Sequence, residues 1–485
     1  MTNYFPESEL KNQASLKEIN LTTGGELVLH QLGIDLSTSQ LLNLSPWEFA
    51  HYMAIENWLT EYQPKPDASY LEQVQGYLEA FHHLCEVSDW EKASRILFIN
   101  HNYSSKPLHE QLGNCGYYRE QIELYSRLLD KLNRDLDCVF LHGLGWAYYH
   151  LGQPHPAIDY HQKLLAIACE IQNRKAEAQA RGGLGGIYYW CLDRFEIALG
   201  HYQEQLKIAR EIGEQKQEIK ALNGLADVYT MFGKFQKSIQ YLQQALIISR
   251  QIGDIDMELI ILKSLGSTYR LMGQSDRGLK FLQQILDNYA RISDRRQEWS
   301  ILQELGTIYI TLNQYQNAIE YLEKALHIIQ EIGDKFGESH TLAAIGAMYA
   351  RSGKYDMAIS YFKPHLTITQ KIGNRYLEGF ARANISYCYG CSKQDKKAII
   401  YAKSVMKIAC EIGDRQLKGT SIVMFACAYW YNKKYLRSLL LAAIAIIILP
   451  PWRSENGKVL FNTVIKTIDQ FLATIIKHFL NIFNP

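Results

Sequence analysis

Apolar positions in residues 215 to 250 recur mostly at steps of three and four, stop, and then start again. Ile219, Leu222, Leu225, Ala226 and Tyr229 fall on one face of a helix. Gly233 follows, able to take the left-handed backbone that ends it. Ser238, Tyr241, Leu242, Ala245 and Ile248 then give a second helix its apolar face. Gly253 closes that helix, and Asp254 is placed to cap the next. Few residues are left for connections, so the pattern predicts an antiparallel helix pair.

The pair repeats. Ile171, Ile212, Ile252, Ile292, Ile332, Ile372 and Ile412 open "IGD" or a variant of it, at one interval of 41 and five of 40 residues. A second series runs Tyr148, Tyr188, Tyr229, Tyr269, Tyr309, Tyr349, Tyr389 and Tyr429. A third holds small residues: Ala157, Ala198, Ser238, Gly278, Ala318, Ala358, Ala398 and Ser438. Three series on one period identify a repeat array, which also explains how 485 residues fold without one compact core.

The first helices carry "LGWAY" (144–148), "LGGIY" (184–188), "LADVY" (225–229), "LGSTY" (265–269), "LGTIY" (305–309) and "IGAMY" (345–349), with looser copies at 385–389 and 425–429. After the turn come an aromatic and a small residue, as in Phe235 with Ser238, Tyr315 with Ala318 and Tyr355 with Ala358; Pro154, Ser275 and Asp395 stand in for the aromatic elsewhere. These residues resemble the tetratricopeptide repeat. The usual period is about 34 residues, and the longer one here is similar to the repeats of kinesin light chains and Pins-type adaptors. We expect a longer second helix to hold the excess. The resemblance implies an all-α fold, a right-handed α-solenoid of stacked antiparallel helix pairs, with the first helices lining a concave face that binds peptides of partner proteins.

The organisation expected is an N-terminal helical cap over 1–66, two degenerate pairs over 67–137, eight repeats over 138–449 and a C-terminal apolar helix within 450–485. In the cap, "SPWEFAHYMAIENWLTEY" (45–62) has Ser45 as N-cap and Pro46 at the first helical position. Residues 459 to 483 carry two adjacent apolar stripes, either covering the last pair or docking on a membrane surface or partner. The apolar run from Leu439 to Trp452 is shorter than the roughly 20 residues of a spanning helix.

Composition narrows function mainly by exclusion. With 51 basic and 50 acidic residues, nucleic acid is not an expected partner. Nine irregularly spaced cysteines and no basic-then-apolar start point to reduced thiols and a cytoplasmic address. "GGLGG" (182–186) lacks the preceding strand and following Lys-Ser/Thr of a phosphate loop. It is the "LGxxY" segment of one repeat, softened by Gly182, Gly183 and Gly186, through drift or to admit a partner's backbone. Cys388 and Cys391 lie a turn apart within one helix, without a second CxxC. No convergent set of nucleophile, base and orienting group emerges, so we expect no enzyme, no cofactor and no metal.

The exposed stripe of the first helices is left for binding. Its candidates are Lys220, Asn223, Asp227 and Thr230; Lys263, Ser267 and Arg270; Gln303, Thr307 and Ile310; and His340, Ala347 and Arg351. Trp146, Tyr149, Tyr189 and Trp190 lie at one end, and Tyr387, Trp430 and Tyr431 at the other. A polar middle with Lys and Arg suits an acidic or C-terminal peptide segment, and aromatic ends suit apolar anchors. Three functions fit: an adaptor binding protein or peptide partners, a peptide- or ligand-sensing regulator with an N-terminal effector segment, and an assembly factor held at a membrane by 459–483.

Overall fold

The computed structural model describes residues 24–35, 44–65, 68–100, 107–190, 194–289 and 295–431. Among these the regular elements are all helices, with one isolated antiparallel bridge, Asn100 to Pro107. The last predicted second helix and the C-terminal apolar helix lie outside the described residues, as does the start of the cap.

The chain divides into two compact units, Met1–Asn114 with Arg127–Leu132, and Cys115–Ser126 with Asn133–Pro485. The first holds α1 (Gly24–Leu32), α2 (Pro46–Thr60), α3 (Tyr70–Gln73), α4 (Gln75–Glu86), α5 (Trp90–Phe98) and α6 (Leu108–Asn114). Ser45 caps α2 as the sequence predicts: its hydroxyl accepts the Glu48 N–H while the Glu48 carboxylate accepts the Ser45 N–H, 2.8 Å.

Most of α7 (Tyr118–Leu128) belongs to the second unit, whose regular pairs follow. They are α8 (Arg134–His150) with α9 (Pro154–Glu170), α10 (Arg174–Trp190) with α11 (Phe195–Glu211), α12 (Gln215–Met231) with α13 (Phe235–Gln251), and α14 (Ile255–Leu271) with α15 (Ser275–Tyr289). Next come α16 (Arg295–Thr311) with α17 (Tyr315–Ile332), α18 (Lys335–Arg351) with α19 (Tyr355–Ile372), and α20 (Arg375–Cys391) with α21 (Asp395–Glu411). α22 (Arg415–Tyr431) opens the eighth copy. Both helices of most pairs have 17 residues, so the second helix alone does not carry the longer period.

The punctuation acts as its chemistry dictates. Gly233 and Gly253 have φ of 70° and 67°, and Asp254 accepts the Met257 N–H at 3.1 Å. Asn173, Asp334, Asn374 and Asp414 cap the same position in other copies.

Three periodic contacts join the helices. The small-residue series is buried: Ala157, Ala198, Ser238, Ala318 and Ala358 are 0% exposed. The tyrosine series stacks on an aromatic of the paired helix: Tyr148 on Tyr160, Tyr188 on His201, Tyr229 on Tyr241, Tyr309 on Tyr321 and Tyr349 on Tyr361, with ring centroids 5.3–5.6 Å apart. Charge pairs join the two helices of one copy at their open end, as in Arg174 with Glu211, Arg295 with Glu331 and Arg375 with Glu411, and others reach the next copy, as in Arg210 with Glu218 and Arg250 with Glu258. These pairs are exposed enough to add little stability each, so the apolar contacts carry the stack. The core is continuous across copies; one cluster runs from Tyr189 through Leu225 and Leu265 to Ile308.

The glycine of "LGxxY" faces a large residue of its paired helix. A Cβ on Gly306 would stand 2.6 Å from Leu322 Cγ, and one on Gly346 would stand 2.6 Å from Phe362 Cε1. The additional glycines of 182–186 are spaces for neighbouring side chains, neither drift nor room for a partner's backbone. Gly183 faces the buried His161 ring, Gly182 faces Gln205, and Gly186 lies against Trp146.

Six histidines are packed inside. Burial pushes His109, His161, His201, His340 and His365 down to about 4, and His142 well below its ordinary value. All six are therefore neutral in the folded chain at pH 7.

Gly183→Ala, although Ala is the better helix former, will destabilise its neighbourhood by about 1–3 kcal/mol because the His161 ring cannot be displaced cheaply. Gly200→Ala, where a Cβ meets nothing within 4 Å, will stabilise by about 1 kcal/mol; hydrogen exchange in denaturant reads both changes locally. Unfolding resistance will also fall as pH drops. Unfolded histidines take up protons near 6.5 and the buried ones only near 4, so these groups cost stability between those values and no more below. Urea midpoints measured across that range test this.

Candidate functional site

The sequence places its binding candidates on the first helices, and packing determines which face they share. Successive first helices touch: α8 with α10, α10 with α12, α12 with α14, and α14 with α16. Among the described residues no comparable packing joins successive second helices. The pairs therefore splay on the second-helix side, and the first helices line the inner face.

On that face Lys220 is exposed and Asn223, Asp227 and Lys263 are half-buried. Asn223 Nδ2 donates to Asp227 Oδ2 at 3.4 Å. Burial raises the Asp227 carboxyl to about 7, with the Lys263 charge opposing the rise. Lys263 also adds to the depression of His340, and Lys220 to that of His142. Each lysine thus disfavours protonation of a histidine two copies away.

The middle of the row is more self-satisfied than its composition implies. The Ser267 hydroxyl donates to Glu304 Oε1 at 2.7 Å, and Arg270 Nε lies 3.6 Å from the same oxygen. Arg270 is therefore a paired charge. Gln303 Oε1 accepts the Thr341 hydroxyl at 3.3 Å, and Thr307 donates to the Gln303 carbonyl at 3.0 Å. Glu304 was not among the sequence candidates. Its signal was present: among the equivalent residues Gly143, Gly183, Gly224, Ser264, Ala344, Asn384 and Met424, none is charged.

The aromatic candidates divide. Tyr189 is 8% exposed and packs in the core against Phe195, ring centroids 5.6 Å apart, so it is not a surface residue. Ile310 is likewise buried. Trp146 is half-buried, donating from Nε1 to His142 Nε2 at 3.2 Å and meeting Tyr149 edge to face. Trp190 is 56% exposed and Tyr387 41%; Ala347 and Arg351 are exposed. The side chains of Trp430 and Tyr431 lie outside the described residues. Two exposed apolar residues, Trp190 and Leu271, flank Met231 in one row along three copies.

A second arrangement has no sequence signal. The first pair meets the sixth and seventh. Asn374 Nδ2 donates to the His150 carbonyl across 224 residues. The Phe336 ring meets His150 edge to face at 5.3 Å, and His150 stacks on Tyr118 at 4.8 Å. Tyr118, Ala147, Leu151 and Ile372 form one buried cluster. At Gly152, φ is 68° and a Cβ would stand 2.7 Å from Asn374 Oδ1. A cavity of about 190 Å³ opens at this seam, lined by Tyr149, His150 and Trp190 on one side and by Phe336, Tyr376 and Asp414 on the other.

Among the described residues no group of three or more His, Cys, Asp or Glu is placed to hold a metal. None of their helices is long and apolar enough to cross a membrane. Cys388 is buried, and burial pushes its thiol up to about 12.

Family models for the tetratricopeptide repeat match residues 176–251, 257–331 and 341–376. Comparison with curated proteins gives no match. Similar solved structures include BtubC (BKLC) from P. vanneervenii, 18% identical, covering 45% of this chain and 92% of that one at a TM-score of 0.39. The apo quorum sensor NprR from B. thuringiensis is 14% identical over 78% of this chain and 99% of its own, TM-score 0.46. A signal transduction ATPase with a tetratricopeptide repeat sensor, from Pyrococcus horikoshii, is 16% identical over 92% and 74%, TM-score 0.45. The matched segments and the helix pair that recurs from Arg134 to Tyr431 make this chain a tetratricopeptide-repeat protein.

Proposed function

We propose that the chain is a non-enzymatic scaffold that binds a segment of a partner protein along the inner face of its repeats. The observation that carries this reading is the row Lys220, Asn223, Asp227, Lys263, Thr307. These polar side chains stand where the repeat's packing asks for nothing, and one of them is a carboxyl shifted to about 7 by burial. A carboxyl shifted by burial on an open binding face is a candidate functional group. Lys220 and Lys263 suit acidic groups on the segment, and the exposed Trp190 and Leu271 suit an apolar anchor beside them. The chain contributes shape and charge, and chemistry is left to what docks there. A cytoplasmic address fits this role.

A sensing role is the second reading, favoured by the seam: an array that closes on itself has a second arrangement to move between. The membrane-held reading rests on 459–483, outside the described residues.

Affinity capture with the full chain tests the scaffold. Lys220→Glu with Lys263→Glu will weaken the captured partners by about tenfold or more, with helicity unchanged by circular dichroism. Binding of an acidic segment will weaken as pH rises through about 7, because Asp227 then gains its charge. Asp227→Asn will flatten that dependence. Partners held at full strength by the double variant would remove the inner face from the account.

A further inference from the structure

The seam cavity adjoins the polar row just described. His340 is in its wall and stands at the repeat position that Lys220 fills in the third copy. The Lys263 charge is near enough to disfavour protonation of that histidine. Trp190, 56% exposed, forms another part of the wall and belongs to the apolar row with Met231 and Leu271. Lys263 itself makes no ion pair among the described residues. The cavity therefore lies between an exposed apolar row and a half-buried ammonium.

The lining decides what can enter. Tyr149, His150 and Trp190 face Phe336 and Tyr376 across the seam, so rings stand on both sides. Its amide and its carboxylate are engaged by the fold. Asn374 donates to the His150 carbonyl and accepts the Leu377 N–H at 2.9 Å, and Asp414 accepts the Leu417 N–H at 2.6 Å. The lining holds no lysine or arginine, so an anion finds no counter-charge there. What remains for a ligand is ring surface, which pairs with another ring better than with an aliphatic group of equal area. Size agrees: a cavity of about 150 Å³ can hold a benzene ring, and this one, at about 190 Å³, has room for a phenyl or phenol side chain.

We propose that the seam cavity is the anchor pocket for one phenylalanine or tyrosine side chain of the partner segment, with an acidic residue of the same segment placed at a fixed spacing from it to meet Lys263. This rests on the scaffold reading above and names the chemistry of its partner. A ring enclosed on two sides supplies affinity, as buried aromatic anchors do at other interfaces. The lysine beside the pocket sets the register and direction of the segment.

Selection of random displayed peptides against the full chain tests the pocket. The enriched peptides are expected to share Phe or Tyr at one spacing from Asp or Glu. In a synthetic copy, changing that ring to Ala should cost at least about tenfold in affinity and changing it to Leu about threefold. The bound peptide should slow hydrogen exchange over residues 147–155 and 372–378. Trp190→Ala removes an exposed wall, and Leu377→Trp puts a larger side chain into the same space; each should reduce the ring peptide to the affinity of its Ala form. Lys263→Glu should abolish the acidic preference and keep the ring preference. Enriched peptides without a ring, or with a ring that Leu replaces at no loss, would overturn the pocket and leave the scaffold standing. A ring peptide unaffected by both cavity variants, or binding without slowed exchange at the seam, would overturn it as well. Indifference to Lys263→Glu would overturn the acidic half. Self-association of the chain that ring peptides disrupt would make a second copy the occupant and overturn the partner. No enriched peptide at all would overturn the pocket and the scaffold together.

Discussion

No helix pair in this array can bury its own apolar face. Each first helix presents apolar residues both to its partner and to the next copy, and the core that results has no internal boundary from Tyr189 to Ile308. Stacking is therefore the condition for folding of every copy. The period follows from it: a neighbour can complete the core only if its small residue, its tyrosine and its capping residue arrive in the same register. Ala157, Ala198, Ser238, Ala318 and Ala358 are fully buried at equivalent places because the helices cross there, and a larger side chain would separate them.

Once packing has claimed those positions, the remaining surface of the first helices is free to vary. That freedom explains why Asp227, Ser267, Thr307, Ala347 and Tyr387, which occupy one position of the repeat, differ so widely in chemistry. It also explains why partial burial acts strongly on this face. Asp227 sits on a surface enclosed by neighbouring copies, so its charge is poorly solvated and its carboxyl holds its proton to about 7.

The fold was legible in the sequence because its causes are local. Gly233, Gly253 and Asp254 act within their own turns, and Phe235 and Pro154 each begin the helix they were expected to begin. The candidate site was only partly legible. Periodicity identifies the helix face a residue is on, as for Lys220, Asp227 and Lys263. It does not say what crosses from the next copy, so Glu304 beside Arg270 and Ser267 was missed, and Tyr189 was counted as surface when Phe195 covers it. The glycines at 182 and 183 were misread for the same reason: His161 and Gln205, which fill the space, come from other helices. The seam was illegible altogether, because no periodic signal relates His150 to Asn374.

The seam has a consequence for chain length. An open solenoid can gain or lose a copy with little penalty, because each copy meets only its neighbours. Here His150 must find Asn374, and Tyr118 must find Phe336, after a fixed number of intervening pairs. Removing one pair from the middle would leave every neighbour contact intact yet bring the wrong copy round to the first. The closing contact thus works as a ruler: it counts the repeats between its two sides, which stacking alone does not.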